Sequence, residues 1–322
     1  MITPQPDRQT QQGWLLPLCL LAAFVSGGAV ALQSRVNGEL AHRVDDGYLA
    51  ALISFGTGLV LIGLATALLP SGRRGVRAVI TALRTRSHPW WLFAGGACGA
   101  LLVLSQGLTV TLLGVALFTV AVVAGQTLSG LVIDRRGLGT MPGKRLTVPR
   151  VIGTGLALVA VVVAMSANLS TDVPWWLLIM PFVAGLGIAY QQAANGQVRQ
   201  LSSVAAASLG NFVVGTTVLA IAFGVHVLAA GPPGPLPSEP WLYVGGAIGV
   251  LFIALNAAIV KWTGVLLLGL TSLGGQLTGS VLLDLVAPAP GHQLPVTTVI
   301  GAVLTLIAVV ITALPQRRPA GR

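Results

Sequence analysis

Residues 91–99 read WLFAGGACG, and 150 residues later 241–249 read WLYVGGAIG, identical at six of nine positions. The register continues without a gap. GQTLSGLVID at 125–134 falls on GQLTGSVLLD at 275–284, and Gly114 falls on Gly264. Over residues 91–134, 14 of 44 positions are identical at that one offset. Bulk hydrophobicity raises chance identity, but it does not repeat Trp, Gly, Gln and Asp in register. Earlier in each half the offset drifts to 157 or 158, matching Gln33 and Asn37 with Gln191 and Asn195, and Phe55 and Gly58 with Phe212 and Gly215. The chain is a duplication.

The duplicated unit is built from apolar runs. The 322 residues are 54% hydrophobic and only 8% charged, about a third of the charged share usual in a soluble domain. The apolar residues fall in ten nearly charge-free runs, at 14–32, 48–69, 90–108, 112–133, 151–167, 175–191, 204–230, 241–260, 265–283 and 296–314. Each is long enough to cross a hydrocarbon core of about 30 Å as a helix. The expected fold is an all-α integral membrane protein of about ten transmembrane helices, which excludes a soluble enzyme, a nucleic-acid-binding domain and a disordered chain. The segments are a tail (1–13), a first five-helix repeat (14–167), a short linker (168–173), a second repeat (174–314) and a basic tail (315–322). The length of the first run, with nine more behind it, favours an uncleaved span over a signal peptide.

Alternating the connections across the membrane sorts the charge. The side of the N-terminus collects 16 of the 18 Lys and Arg, and only Arg35 and Arg43 fall on the other. Cytoplasmic loops are enriched in Lys and Arg, so both termini are expected inside, in a plasma (inner) membrane. The net charge of +10 then reflects topology and implies no nucleic acid. Cys19 and Cys98 lie in apolar runs without metal-ligand spacing, and read as packing residues.

Five helices per repeat is an odd number, so the second copy is inverted relative to the first. Inverted repeats recur in secondary transporters, where two similar halves rock about a central site. Two five-helix halves, each opening with Q-x-x-x-N and closing its fourth helix with GQ followed eight residues later by Asp, resemble the ten-helix drug/metabolite transporters. The resemblance is nearest to their YdcZ-like group and spans residues 14–314. It implies a membrane carrier and leaves the solute open.

None of the eight carboxylates (Asp7, Glu39, Asp45, Asp46, Asp134, Asp172, Glu239, Asp284) falls near the middle of an expected helix. The small multidrug branch of the superfamily uses a first-helix Glu. This first helix has none, so that proton/cation mechanism does not carry over. The polar groups that enter the membrane are neutral amides in symmetric pairs: Gln33 with Gln191, Asn37 with Asn195, Gln106 with Asn256, and Gln126 with Gln276. Amides both donate and accept, so they suit a path for zwitterionic, sugar-like or amide-bearing solutes. The other reading makes them interhelical glue, worth about 0.6 kcal/mol each. Gln126 and Gln276 are the deepest twins and the favoured solute contacts.

Asp134 and Asp284 end the fourth and ninth helices on opposite faces, as gating or proton-coupling groups or as plain interfacial carboxylates. Asp134 stands beside Arg135 and Arg136, whereas no basic residue is near Asp284 in sequence. His226, without a twin, reads as a packing residue. Gly95 with Gly99, Gly245 with Gly249, and Gly275 with Gly279 make G-x-x-x-G patterns that let helices approach closely, within the bundle or across a homodimer. Pro181 predicts a kink in the sixth helix.

No phosphate-binding loop, nucleophile elbow or metal motif is present, so the sequence calls for no cofactor, no metal and no enzyme activity. The expected function is non-ATP secondary transport of a small molecule by alternating access, with protons as the expected coupling ion. The alternatives are export of lipophilic or cationic drugs, or a non-transporting sensor or assembly subunit.

Overall fold

The first helix runs past the end of its apolar stretch. In the computed structural model, which describes residues 8–139, 143, 146–166, 174–288 and 294–314, α1 spans Arg8–Val44. The apolar run ends at residue 32, where QSRVNGEL turns polar. The helix continues because those polar groups are taken up by neighbouring helices. It ends where Asp45 takes a positive φ of 51° and Asp46 caps the next helix, accepting the Tyr48 and Leu49 N–H groups at 2.7 and 2.9 Å.

The remaining helices are α2 (Gly47–Leu68), α3 (Pro70–Arg84), α4 (Gly96–Arg136), α5 (Val148–Met165), α6 (Trp175–Leu201), α7 (Val204–Ala230), α8 (Gly245–Val286) and α9 (Val296–Ala313). Single 3-10 turns lead into α4 (Trp90–Gly95) and towards α8 (Pro240–Tyr243). Four further features depart from the sequence expectation: the basic segment after α2 is a helix, α6 extends ten residues past Gln191, and the third and fourth spans, like the eighth and ninth, are joined without a loop. Lys261 therefore lies in helical backbone, and its side chain is outside the described set.

The joined helices still cross twice. Cys98 and Gln126 of α4 both touch one stretch of α6: a Cβ at Gly187 would lie 3.0 Å from the Cys98 Cβ, and one at Gly185 would lie 3.0 Å from the Gln126 nitrogen. A straight helix would hold those residues about 42 Å apart. The chain reverses at Gly114, whose φ of 78° and ψ of 162° are open to glycine and strained for residues with a Cβ. In α8, the Gly245 carbonyl accepts from Gln33 (2.7 Å), and the Pro288 carbonyl just beyond the helix accepts from Arg35 (3.1 Å), two positions along α1. Forty-three helical residues would span about 65 Å, so this chain also folds back. Two crossings each for α4 and α8, and one each for α1, α2, α5, α6, α7 and α9, make ten.

Packing follows the repeat. α1 packs mainly on α8 and α6 on α4, while α2 meets α7 and α5 meets α9. The two long contacts are centred on matched glycines. A Cβ at Gly27 would fall 1.9 Å from the Ser272 carbonyl oxygen, and one at its twin Gly185 would fall 2.1 Å from the Val122 oxygen. Gly275 and Gly125 approach the Phe24 and Phe182 carbonyls equally closely. Such contact maximises dispersion where lipid provides no hydrophobic drive between helices. Phe55 and Phe212, twins at offset 157, meet with ring centroids 5.3 Å apart. Aliphatic side chains cover the outside, as in the exposed stripe Ile300, Val303, Ile307 and Val310 of α9. Water would not tolerate that surface; a bilayer does.

Candidate transport site between the repeats

Each Q-x-x-x-N pair lies against the glycines that open the opposite repeat's third span. On the face where α1 ends, Gln33 Nε2 donates to the Gly245 carbonyl, and a Cβ at Gly245 would meet Asn37 Oδ1 and Ser54 Oγ. Asn37 Nδ2 donates to Gln106 Oε1 at 2.7 Å, and Gln106 Nε2 to Ser34 Oγ at 2.9 Å. Asn37, Gln106 and Ser34 are all 0% exposed, whereas Gln33 is half-buried.

The twin corner, on the face carrying the termini, is built alike and filled differently. Asn195 Oδ1 and Asn211 Oδ1 lie 3.2 and 3.3 Å from where a Gly95 Cβ would be, and Gln191 Nε2 lies 2.7 Å from a Cβ at Gly99. All three amides are half-buried. At 1.5 Å per residue from the ends of α6 and α7 they sit about 9 to 15 Å below that face. Asn195 is thus half-buried where its twin Asn37 is fully buried, while Gln33 and Gln191 are both half-buried.

The central amides each reach the other repeat. Gln126 Nε2 donates to Gln192 Oε1 at 3.2 Å, and the Gln276 backbone crosses Gly27 on α1. Asn256 Nδ2 donates to Ser26 Oγ at 3.2 Å and to the Phe252 carbonyl at 2.8 Å. Each GQ therefore packs on the first helix of the opposite half, the surface along which the halves meet.

The two aspartates also differ. Asp284, 2% exposed, accepts the Val115 N–H at 3.0 Å on Oδ1 and the Ala116 N–H at 2.7 Å on Oδ2. It caps the half-helix that starts after Gly114, where free N–H groups and the helix dipole favour a carboxylate. Asp134, one-third exposed, is ion-paired with Arg150 at the start of α5 and not with its sequence neighbours Arg135 and Arg136. Arg35, expected in a loop, sits on α1, and its guanidinium donates to the Pro288 carbonyl just past α8. His226 stacks on Tyr48 at 4.4 Å, with its Nε2 3.7 Å from Asp46, a packed position at the rim.

Ser34, Ser54, Gln192, Asn211 and Arg150 were not singled out from the sequence. Ser54 and Asn211 could have been, because Ser-Phe at 54–55 falls on Asn-Phe at 211–212 in the 157 register. Among the described residues no group of three or more His, Cys, Asp or Glu could hold a metal.

Ten crossings among the described residues, in two inverted repeats with neutral amides along the seam and an aspartate ending each repeat's fourth span, define a membrane transporter of the drug/metabolite class. The family described as "Putative inner membrane exporter, YdcZ" matches residues 18–163 and 175–311, one segment per repeat, and the chain belongs to that family. A solved structure described only as "Crystal structure of protein" shares the fold, with a TM-score of 0.53 and 17% identity over 91% of this chain and 94% of that one. No curated protein matches.

Proposed function

We propose that the protein is a secondary carrier that moves a small polar solute across the inner membrane by alternating access between its repeats. One observation supports this above all: symmetry-related groups are in unlike states. Asn37 and Gln106 are buried and hydrogen-bonded to each other, while their counterparts Asn195 and Asn256 are half-buried. Asp284 is buried on a helix start, while Asp134 is one-third exposed on an arginine. Copies of one pattern that differ in this way fit a molecule closed on the face where α1 ends and open on the face of its termini. Exchanging the two environments produces the opposite state. With the termini cytoplasmic, as the arginines predict, this is the state that loads from inside, the direction an exporter needs.

The solute path runs along the amides Gln191, Asn195, Asn211 and Gln126, which offer donors and acceptors without a buried charge. Asp134 and Asp284 are the gates and the proton-coupling groups. The test is thermal stability of the detergent-solubilised protein against amino acids, sugars, nucleosides, peptides and cationic drugs, since a ligand of the native state raises its stability. A stabilising compound whose effect disappears in Asn195→Ala/Asn211→Ala supports the path. Stabilisation by cationic drugs alone favours drug export, and no effect followed by no flux in proteoliposomes sinks the carrier reading.

A further inference from the structure

The segment between the second and third spans, a basic loop by sequence, is a surface helix with two unlike faces. α3 starts two residues after α2 ends, where Leu64 and Leu68 are 58% and 79% exposed on the lipid side. Its inner face is anchored. A Cβ at Gly72 would meet the Thr66 carbonyl at 2.5 Å, one at Gly75 would meet Ser203 Oγ at 2.5 Å, and Val79 packs on the cluster of Leu92, Ala194 and Val198. That contact sets the rotation of the helix about its axis. At 100° per residue, Arg73, Arg77 and Arg84 fall within about 40° of one another, away from the inner face, and Ile80 and Leu83 lie between them and it. All five side chains are exposed, with Ile80 and Leu83 each at 43%. α3 contains no Asp or Glu, and none of its arginines enters an ion pair among the described residues. Trp90, 75% exposed just beyond it, suits the same depth, because indoles favour the bilayer interface.

We propose that α3 is a binding surface for anionic phospholipid, in which Arg73, Arg77 and Arg84 hold lipid phosphates while Ile80 and Leu83 enter between the acyl chains. A basic stripe bordering an exposed apolar edge, at the level where the lipid-facing side of α2 ends, matches the headgroup–acyl boundary in both charge and polarity. The arginine fork suits phosphate oxygens better than a point charge does. The lipid bound there touches the helix that braces α6 and α7, which carry Asn195 and Asn211.

The test uses the full chain in nanodiscs of phosphatidylcholine with increasing phosphatidylglycerol, reading retained lipid by native mass spectrometry and the unfolding midpoint. The expected result is preferential retention of phosphatidylglycerol and a raised midpoint. Both fall by about tenfold or more in apparent affinity for Arg73→Gln/Arg77→Gln/Arg84→Gln, and both persist in the control Arg135→Gln/Arg136→Gln. If the triple glutamine variant does not fold, hydrogen exchange of Pro70–Arg84 in the native protein serves instead, and phosphatidylglycerol should slow it. Equal behaviour in the two lipids, an unaffected triple variant, unchanged exchange, or the same rise from inorganic phosphate in phosphatidylcholine discs overturns the proposal.

Discussion

Asp284, at the end of the ninth span, holds the Val115 N–H at 3.0 Å and so closes the break in α4 from the other repeat. The two residues are 169 positions apart, and their contact ties the halves together on one face of the membrane. Removing the carboxylate leaves two buried N–H groups without acceptors. Asp284→Ala should therefore lower stability by about 1 to 2 kcal/mol, and Asp284→Asn, which keeps one acceptor, by less. Thermal unfolding of the two variants in detergent measures the difference.

The same aspartate and its twin should govern coupling. Asp134→Asn with Asp284→Asn is expected to abolish pH-gradient-driven flux in proteoliposomes while leaving the protein folded. Undiminished flux in that double variant would remove protons from the mechanism.

Glycines at the helix crossings and glycines facing open space predict opposite outcomes. Gly27→Ala and Gly185→Ala place a Cβ about 2 Å from a backbone oxygen, and each should cost about 3 kcal/mol or fail to fold. Gly63→Ala, with nothing within 4 Å, should be neutral or stabilising by up to about 1 kcal/mol. Expression level and midpoint temperature separate the two groups.

Twin amides should respond unequally. Asn37→Ala leaves the buried Gln106 Oε1 without its donor and should cost about 1 to 3 kcal/mol. Asn195→Ala, at a half-buried position, should change stability by under about 0.5 kcal/mol and reduce transport. In single-cysteine variants, Asn195→Cys should react with a membrane-impermeant maleimide faster than Asn37→Cys does, and equal rates would contradict the proposed one-sided opening.

A disulfide can test the contact between halves. Gly187→Cys brings a Cβ to 3.0 Å from that of Cys98, shorter than the bridging range of about 3.5–4.5 Å, so the two helices part slightly when the bond forms. With Cys19→Ser in the background, mild oxidation should remove both thiols from maleimide-polyethylene glycol counting and arrest transport, and reduction should restore both.

The class of fold was legible from sequence because its causes are local or repeated. An apolar run of twenty residues in lipid has helix as its low-energy form whatever its neighbours, since every backbone N–H and C=O must be satisfied within the segment. The 150-residue register required equivalent helices at Gly95–Gly99 and Gly245–Gly249, and the structure pairs both with the opposite repeat's amides. Other features depended on partners distant in the chain. The polar stretch after residue 32 stays helical because Gln106 and Gly245 receive its amides, and α3 is a helix because α2, α6 and α7 cover one of its faces. Asp134 and Asp284 occupy one position of one motif, yet the first faces Arg150 and the second caps Val115. The duplicated pattern by itself determined which groups are equivalent. Only the tertiary packing decided that Asn37 and Asp284 are buried while Asn195 and Asp134 are partly exposed, because twins in the two copies meet different neighbours across the seam.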